Sequence, residues 1–265
     1  MIKVEKDFTN VPQILNSSNR RKAFNSNIKD KAFNHGKTLY KPHELKDRLH
    51  KIYNLKCVYC EDSLLNSPKH IEHYRPKDIY YWLAYSWDNL LLCCTSCNGS
   101  KGVNFKTINK KVDCDNVKFE YMHNLGKNYD DLEQPMLVNP EKEDVLKYLI
   151  FDREAQIFSK NDRVDYTIQN CNLNREELIE LRKEILEDFI LLINDYIVLF
   201  DKNNNLDKKT VVKIFIPVIR QFVNKCKKEN KFYSFRYFIL NNPDVFIENI
   251  PMQKIVKTLI KKLTV

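Results

Sequence analysis

The chain has 265 residues, enough to bury one large core or two small ones, and its 43% hydrophobic and 30% charged residues are a globular balance that excludes a disordered chain. Its 44 Lys+Arg against 35 Asp+Glu leave a net charge of +9, which suits a polyanionic partner such as nucleic acid. The opening MIKVEKDFTN lacks the apolar stretch of a secretory signal. The longest apolar run, FILLINDYIVLF, is too short to span a bilayer and contains Asn194 and Asp195, so a cytosolic protein without membrane association is expected. Eight cysteines in a reducing compartment point to metal binding or buried thiols rather than disulfides.

Residues 1–54 read as a basic segment, with RRK at 20–22 and a helix over 42–54, where Leu45, Leu49 and Ile52 recur at helical spacing. The span 55–128 concentrates the unusual chemistry, and 113–145 within and beyond it reads as a loop-rich connection. Residues 129–265 are expected to form a mainly helical domain suited to partner docking. It opens with a hairpin over 146–160, LKYLIFDREAQIFSK, where apolar residues alternate. A long amphipathic helix over 174–200 follows, with Leu178, Leu181, Ile185, Phe189 and Leu192 on one stripe and Asn174 and Glu177 as its start signal. Further helices are expected near 209–228 and 252–263.

Two C-x₂-C knuckles, Cys57 with Cys60 and Cys94 with Cys97, can close a tetrahedral thiolate site for one structural zinc. Four buried cysteines without a metal are the alternative. Cys93 adjoins the second knuckle but breaks its spacing, so it is expected to pack as a small apolar residue, as are Cys114, Cys171 and Cys226. The 33 residues between the knuckles hold HIEHYRPK at 70–77, with two of the six histidines. The aromatic run IYYWLAYSW at 79–87 could stack on bases, although burial in the core is the usual fate of such a run.

Glu72-His73, then Asn89, then Asn98 directly after Cys97 with Lys101 behind it, form an ordered set that resembles the HNH endonuclease motif. That resemblance implies an α+β fold, in which a zinc-braced ββα-metal finger precedes the helical region. His73 is then the general base that takes a proton from water. Glu72 and the Asn98 amide oxygen are ligands of a catalytic Mg²⁺ or Mn²⁺, ions that favour oxygen donors. Asn89 would hold the histidine-bearing loop by hydrogen bonds. Many relatives carry Asp where this chain has Glu72. Strand alternation sets His70 and Glu72 on one face and His73 on the other, leaving His70 as either an extra metal or phosphate contact or a packing residue. Arg75, Lys77 and Lys101 are natural phosphate contacts, with a solvated basic face as the alternative.

The likeness runs further. MIKVEKDFTNVP, CVYCE, IEHYRPK, YYWLAYSWDNLLLCCTSCNGSKG, PMLVNPEKED and TIQNCNLNREELIELR are similar to the PtuB-like HNH proteins of bacterial Septu defence systems, which also occur beside retron reverse transcriptases. This resemblance covers roughly residues 1–187 and implies a cytoplasmic anti-phage nuclease acting with a PtuA-like ATPase. DNA is the implied target, with tRNA and a retron reverse transcriptase or its msDNA in retron settings. The chain contains no G-x-x-x-x-G-K-[ST] loop, so ATP hydrolysis is expected from another polypeptide. A zinc ribbon that binds nucleic acid without cutting it, and a scaffold docking through the helical half, are the competing readings.

Overall fold

Residues 1–35, 39, 42–65, 69–202 and 208–263 are described by the computed structural model, which is α+β as expected. Its contacts gather into two units: Met1–Lys147 with Lys160–Leu173, and Tyr148–Ser159 with Asn174–Val265.

The first unit begins with helices α1 (Ser18–Asp30) and α2 (His43–Ile52). Leu45 and Leu49 of α2 are fully buried one turn apart, as their spacing predicts. Strands β1 (Lys69–His73) and β2 (Leu90–Cys94) pair antiparallel, from Lys69 opposite Cys94 to His73 opposite Leu90. Helix α3 (Thr95–Lys101) follows β2 without a break, completing a ββα unit. Consecutive Leu90, Leu91 and Leu92 are all buried, so β2 is covered on both faces and its apolar run needs no alternation. The crossover between the strands is itself core, with Tyr80, Trp82, Tyr85 and Trp87 buried.

In the first unit α1 and two further helices were not legible in the sequence. Helix α4 (Gly126–Glu133) lies in the stretch expected to be loop. Helix α5 (Asp162–Asn170) is capped by Asn161, whose side chain accepts from the backbone of Arg163 and Val164.

The expected domain boundaries do not match this packing. Position 129 falls inside α4, because Asp130 and Glu133 pair with Arg75 of the ββα unit. Segment 1–54 is likewise part of the first unit. Buried Lys6 donates to the carbonyls of Trp87 (2.7 Å) and Leu90 (2.6 Å) and pairs with Glu141 at 3.0 Å. Burial pulls the Lys6 ammonium down and pushes the Glu141 carboxyl up, and their mutual attraction opposes both shifts.

The second unit opens with a hairpin of β3 (Ile150–Phe151) and β4 (Ile157–Phe158), far shorter than the alternation suggested. Helices α6 (Glu176–Lys202), α7 (Lys208–Lys225), α8 (Tyr233–Asn241), α9 (Pro243–Phe246) and α10 (Ile250–Leu263) follow. Leu178, Ile185 and Phe189 of α6 are buried, and the Phe189 and Phe222 rings pack 4.7 Å apart; the Leu192 side chain lies outside the described residues. Asn174 does not act as the helix cap. Its amide donates to the Ile157 carbonyl (2.7 Å) and its oxygen accepts from the Ile157 N–H (2.8 Å), so it clamps the hairpin instead.

His123 in the first unit is buried neutral. Its Nδ1 accepts from the Trp87 N–H (3.0 Å), which leaves the proton on Nε2, 3.1 Å from Asn16 Oδ1. Burial lowers its pKa to about 4. The unfolded chain takes up this proton near pH 6.5 and the folded chain holds it off until about 4, so stability falls as pH drops through that window. Between pH 7 and pH 5 the His123 contribution to that loss is expected to be about 2 kcal/mol. Urea unfolding of His123→Gln should show a correspondingly weaker acid dependence than wild type; an unchanged dependence would refute the assignment.

Candidate active site and metal centre

The four knuckle sulfurs, of Cys57, Cys60, Cys94 and Cys97, lie within 4.8 Å of one another. A tetrahedron with zinc–sulfur bonds of about 2.3 Å has edges of about 3.8 Å, and the Cys60 and Cys94 sulfurs stand 3.9 Å apart. The sulfurs therefore fit zinc. Local backbone builds each knuckle: Glu61, just after Cys60, takes a left-handed φ of 62° as its N–H turns back to the Cys57 carbonyl. The Val58 N–H donates to the Leu92 carbonyl, tying the first knuckle to β2 (3.0 Å). Cys94 also caps α3, its sulfur accepting from the Cys97 N–H. Cys93 is fully buried with its sulfur 3.7 Å from that of Cys57, against the cluster but outside the four.

His73 ends β1 and is buried. Its Nε2 lies 3.0 Å from the Ala84 carbonyl oxygen, which can only accept, so Nε2 carries the proton and Nδ1 holds the basic lone pair of the neutral ring. Asn89 grips the loop behind it. Its Oδ1 accepts from the Arg75 N–H (2.7 Å), and its Nδ2 donates to the carbonyls of Arg75 (3.0 Å) and Leu83 (3.2 Å). The Asn89 carbonyl also accepts from the Tyr74 N–H at 3.0 Å.

Glu72 is buried beside Lys101, whose ammonium stands 2.6 Å from one carboxylate oxygen and donates to the His73 carbonyl at 2.9 Å. Burial raises the Glu72 carboxyl, while Lys101 and then Lys77 pull it back down. Asn98 sits half-exposed in α3 and His70 half-exposed in β1 opposite Cys93. One carboxylate and one amide oxygen are a hard donor pair of the kind a small divalent cation takes.

Arg75 and Lys101 do not sit as phosphate contacts, contrary to the sequence expectation. Lys101 is fully buried under Glu72. Arg75 is 1% exposed, with Nε 2.9 Å from Glu133 and Nη2 2.8 Å from Asp130. Burial alone would lower the Arg75 pKa, but the Asp130 and Glu133 carboxylates outweigh it and raise it. Both cations are spent inside. Lys77 stays partly exposed, 5.3 Å from the Phe33 ring centre. Sequence reading missed Asp130 and Glu133, whose α4 carries no motif, and the exposed Lys106 and Lys110 with the partly exposed Lys111 on the strand-like stretch after α3, where the Ile108 and Asn109 N–H groups bond the Gln134 and Glu133 carbonyls.

Comparison with known proteins places this geometry. The family model for HNH endonuclease matches residues 57–104, from the first knuckle to just past α3. Septu protein PtuB of Bacillus mycoides (strain KBAB4) is 32% identical over 169 residues, covering 57% of this chain and 54% of that protein. Septu protein PtuB of Bacillus thuringiensis is 47% identical over 60 residues, 22% of this chain and 23% of that protein. Septu protein PtuA of the same Bacillus mycoides strain is 24% identical over 214 residues, 76% of this chain but 27% of that protein. The chain thus spans about half, or less, of the length of the curated relatives it matches. No solved structure matches it.

The zinc register is testable by metal analysis. Wild type should carry about one zinc per chain, as one tetrahedral site requires. Cys57→Ser should lose it and melt well below wild type, since structural zinc supplies folding energy. Cys93→Ala should keep it. Zinc lost on Cys93→Ala but kept on Cys94→Ser would overturn the four-ligand set.

Proposed function

We propose that this chain is a PtuB-like member of the HNH endonuclease family, which its similarity over residues 57–104 and to two PtuB proteins supports, and that it hydrolyses phosphodiester bonds in nucleic acid, with DNA as the substrate, as the nuclease of a Septu-type defence system. The observation that carries the reading is the hydrogen bond from His73 Nε2 to the Ala84 carbonyl, which sets the basic lone pair on Nδ1. Set at the end of β1 next to Glu72, with Asn89 bracing the loop that follows, the ring is oriented to accept a proton, which a ribbon that only bound nucleic acid would not require.

In the reaction His73 Nδ1 accepts a proton from a water molecule as its oxygen attacks phosphorus. The bond from phosphorus to the leaving oxygen breaks, and solvent returns a proton to that oxygen, leaving a 5′-phosphate and a 3′-hydroxyl. Asn89 keeps the loop after β1 from rotating the imidazole, and Lys101 anchors the His73 carbonyl from below. Glu72 and Asn98 are the residues that would hold a divalent cation, whose chemistry there would be neutralisation of charge at the scissile phosphate. Lys77, Lys106, Lys110 and Lys111, exposed or partly so, are among the cations open to the phosphate backbone, Lys110 with Asp113 3.1 Å away.

A PtuA-like ATPase is the proposed partner. The Septu relatives support it, and so does the PtuA protein whose sequence contains a stretch similar to this chain.

The test incubates wild type and His73→Ala with supercoiled plasmid, RNA, Mg²⁺ or Mn²⁺ and the neighbouring operon's ATPase. Wild type should nick or linearise the plasmid, and His73→Ala should be slower by about 10²-fold or more. Equal products from the two proteins would refute the base, and intact DNA beside cleaved RNA would refute the substrate.

A further inference from the structure

Arg75 is held from two directions. Asn89 takes both polar groups of its backbone, while its side chain runs back to Glu133, which is fully buried, and to Asp130. The guanidinium carbon lies 5.3 to 5.8 Å from the ring centres of Tyr74, Tyr80, Phe105 and Tyr129. It therefore has neither water nor room to turn. Glu133 divides its oxygens: Oε2 faces Arg75, and Oε1 accepts from the Tyr80 hydroxyl (2.7 Å) and the Val112 N–H (2.9 Å).

Stability alone does not account for this arrangement. A buried ion pair is costly to desolvate, and apolar residues of similar volume commonly hold a core as well or better. An ion pair adds direction. The planar fork of an arginine meets carboxylates in few geometries, so its anchor sets where the chain two residues earlier can lie. That residue is His73. The anchor sits in α4, beyond the 57–104 span that the HNH family model covers.

We propose that Glu133 and Asp130 of α4, acting through Arg75, are positioning residues that hold His73 in its hydrogen bond to Ala84 and so in its working tautomer; this rests on His73 being the base. They touch no reacting atom. Glu133→Gln is the informative variant, because its Oε1 keeps the Tyr80 and Val112 bonds while the side chain loses its charge toward Arg75. Asp130→Asn, at a more exposed position, is the second.

The test combines ¹⁵N-histidine NMR of the zinc-loaded protein, with the His73 signals assigned through His73→Gln, and steady-state cleavage in the presence of the ATPase. Wild type should show His73 protonated at Nε2. Glu133→Gln should show a tautomer mixture and a kcat lower by about 10–100-fold, the scale of a small misplacement of a catalytic group. Its KM for nucleic acid should stay within about twofold, with zinc retained, and Asp130→Asn should move the same way by less. Wild-type tautomer and turnover in Glu133→Gln would overturn the proposal. So would a fall in kcat that tracks melting temperature while the tautomer stays fixed. If wild type itself cuts nothing, the base assignment falls, and the tautomer comparison still decides whether α4 holds the ring.

Discussion

A two-stranded antiparallel sheet is marginally stable in water on its own, and every residue of the candidate site stands on one or borders it. The site therefore depends on what pins the ends of β1 and β2. At one end the cysteine tetrad joins the knuckle before β1 to the β2–α3 junction, across a loop whose closure would otherwise cost entropy. At the other, Asn89 fastens the turn after His73 to the turn before Leu90. Lys101 closes the third side, reaching from the last turn of α3 to both Glu72 and the His73 carbonyl. Sheet, metal knot and helix are one mechanical piece.

That piece is braced by charge buried where apolar packing would be cheaper. Lys6 with Glu141, Lys101 with Glu72, and Arg75 with Glu133 each set a cation and an anion against the strands or the crossover between them. Backbone carbonyls at the strand ends need donors, and a lysine ammonium can serve two carbonyls and a carboxylate at once, as Lys6 does for Trp87, Leu90 and Glu141. Apolar side chains would fill the same volume and leave those carbonyls unpaired.

Much of this site was legible because its chemistry is local. Cys57-x-x-Cys60 and Cys94-x-x-Cys97 announce a metal through spacing, and the pairing in three dimensions adds only their distance. The order Glu72-His73, Asn89, Asn98 was legible for the same reason. What spacing could not convey was which way a cation points. Arg75 and Lys101 read as phosphate contacts because sequence does not reveal which carboxylates they meet in the fold. Their partners are Glu133, 58 residues on, and Glu72, 29 residues back on β1. Helix α4 went unread because Asp130 and Glu133 take its inward positions toward that arginine while Leu132 is exposed, so it lacks the apolar stripe by which helices are recognised. Asn174 failed differently: a residue with the right chemistry for a cap found a better bargain with Ile157.

The buried cations also bear on what a polyanion would feel at this surface. Among the described residues, seven lysines and arginines are buried against five aspartates and glutamates, so the interior nearly cancels itself. Most of the formal +9 therefore faces solvent and sets a field that can draw a negatively charged polymer from a Debye length away. A count of charges from composition thus estimates attraction at a distance, while the residues that would make contact have to be found by exposure. The far field and the near grip belong to different side chains.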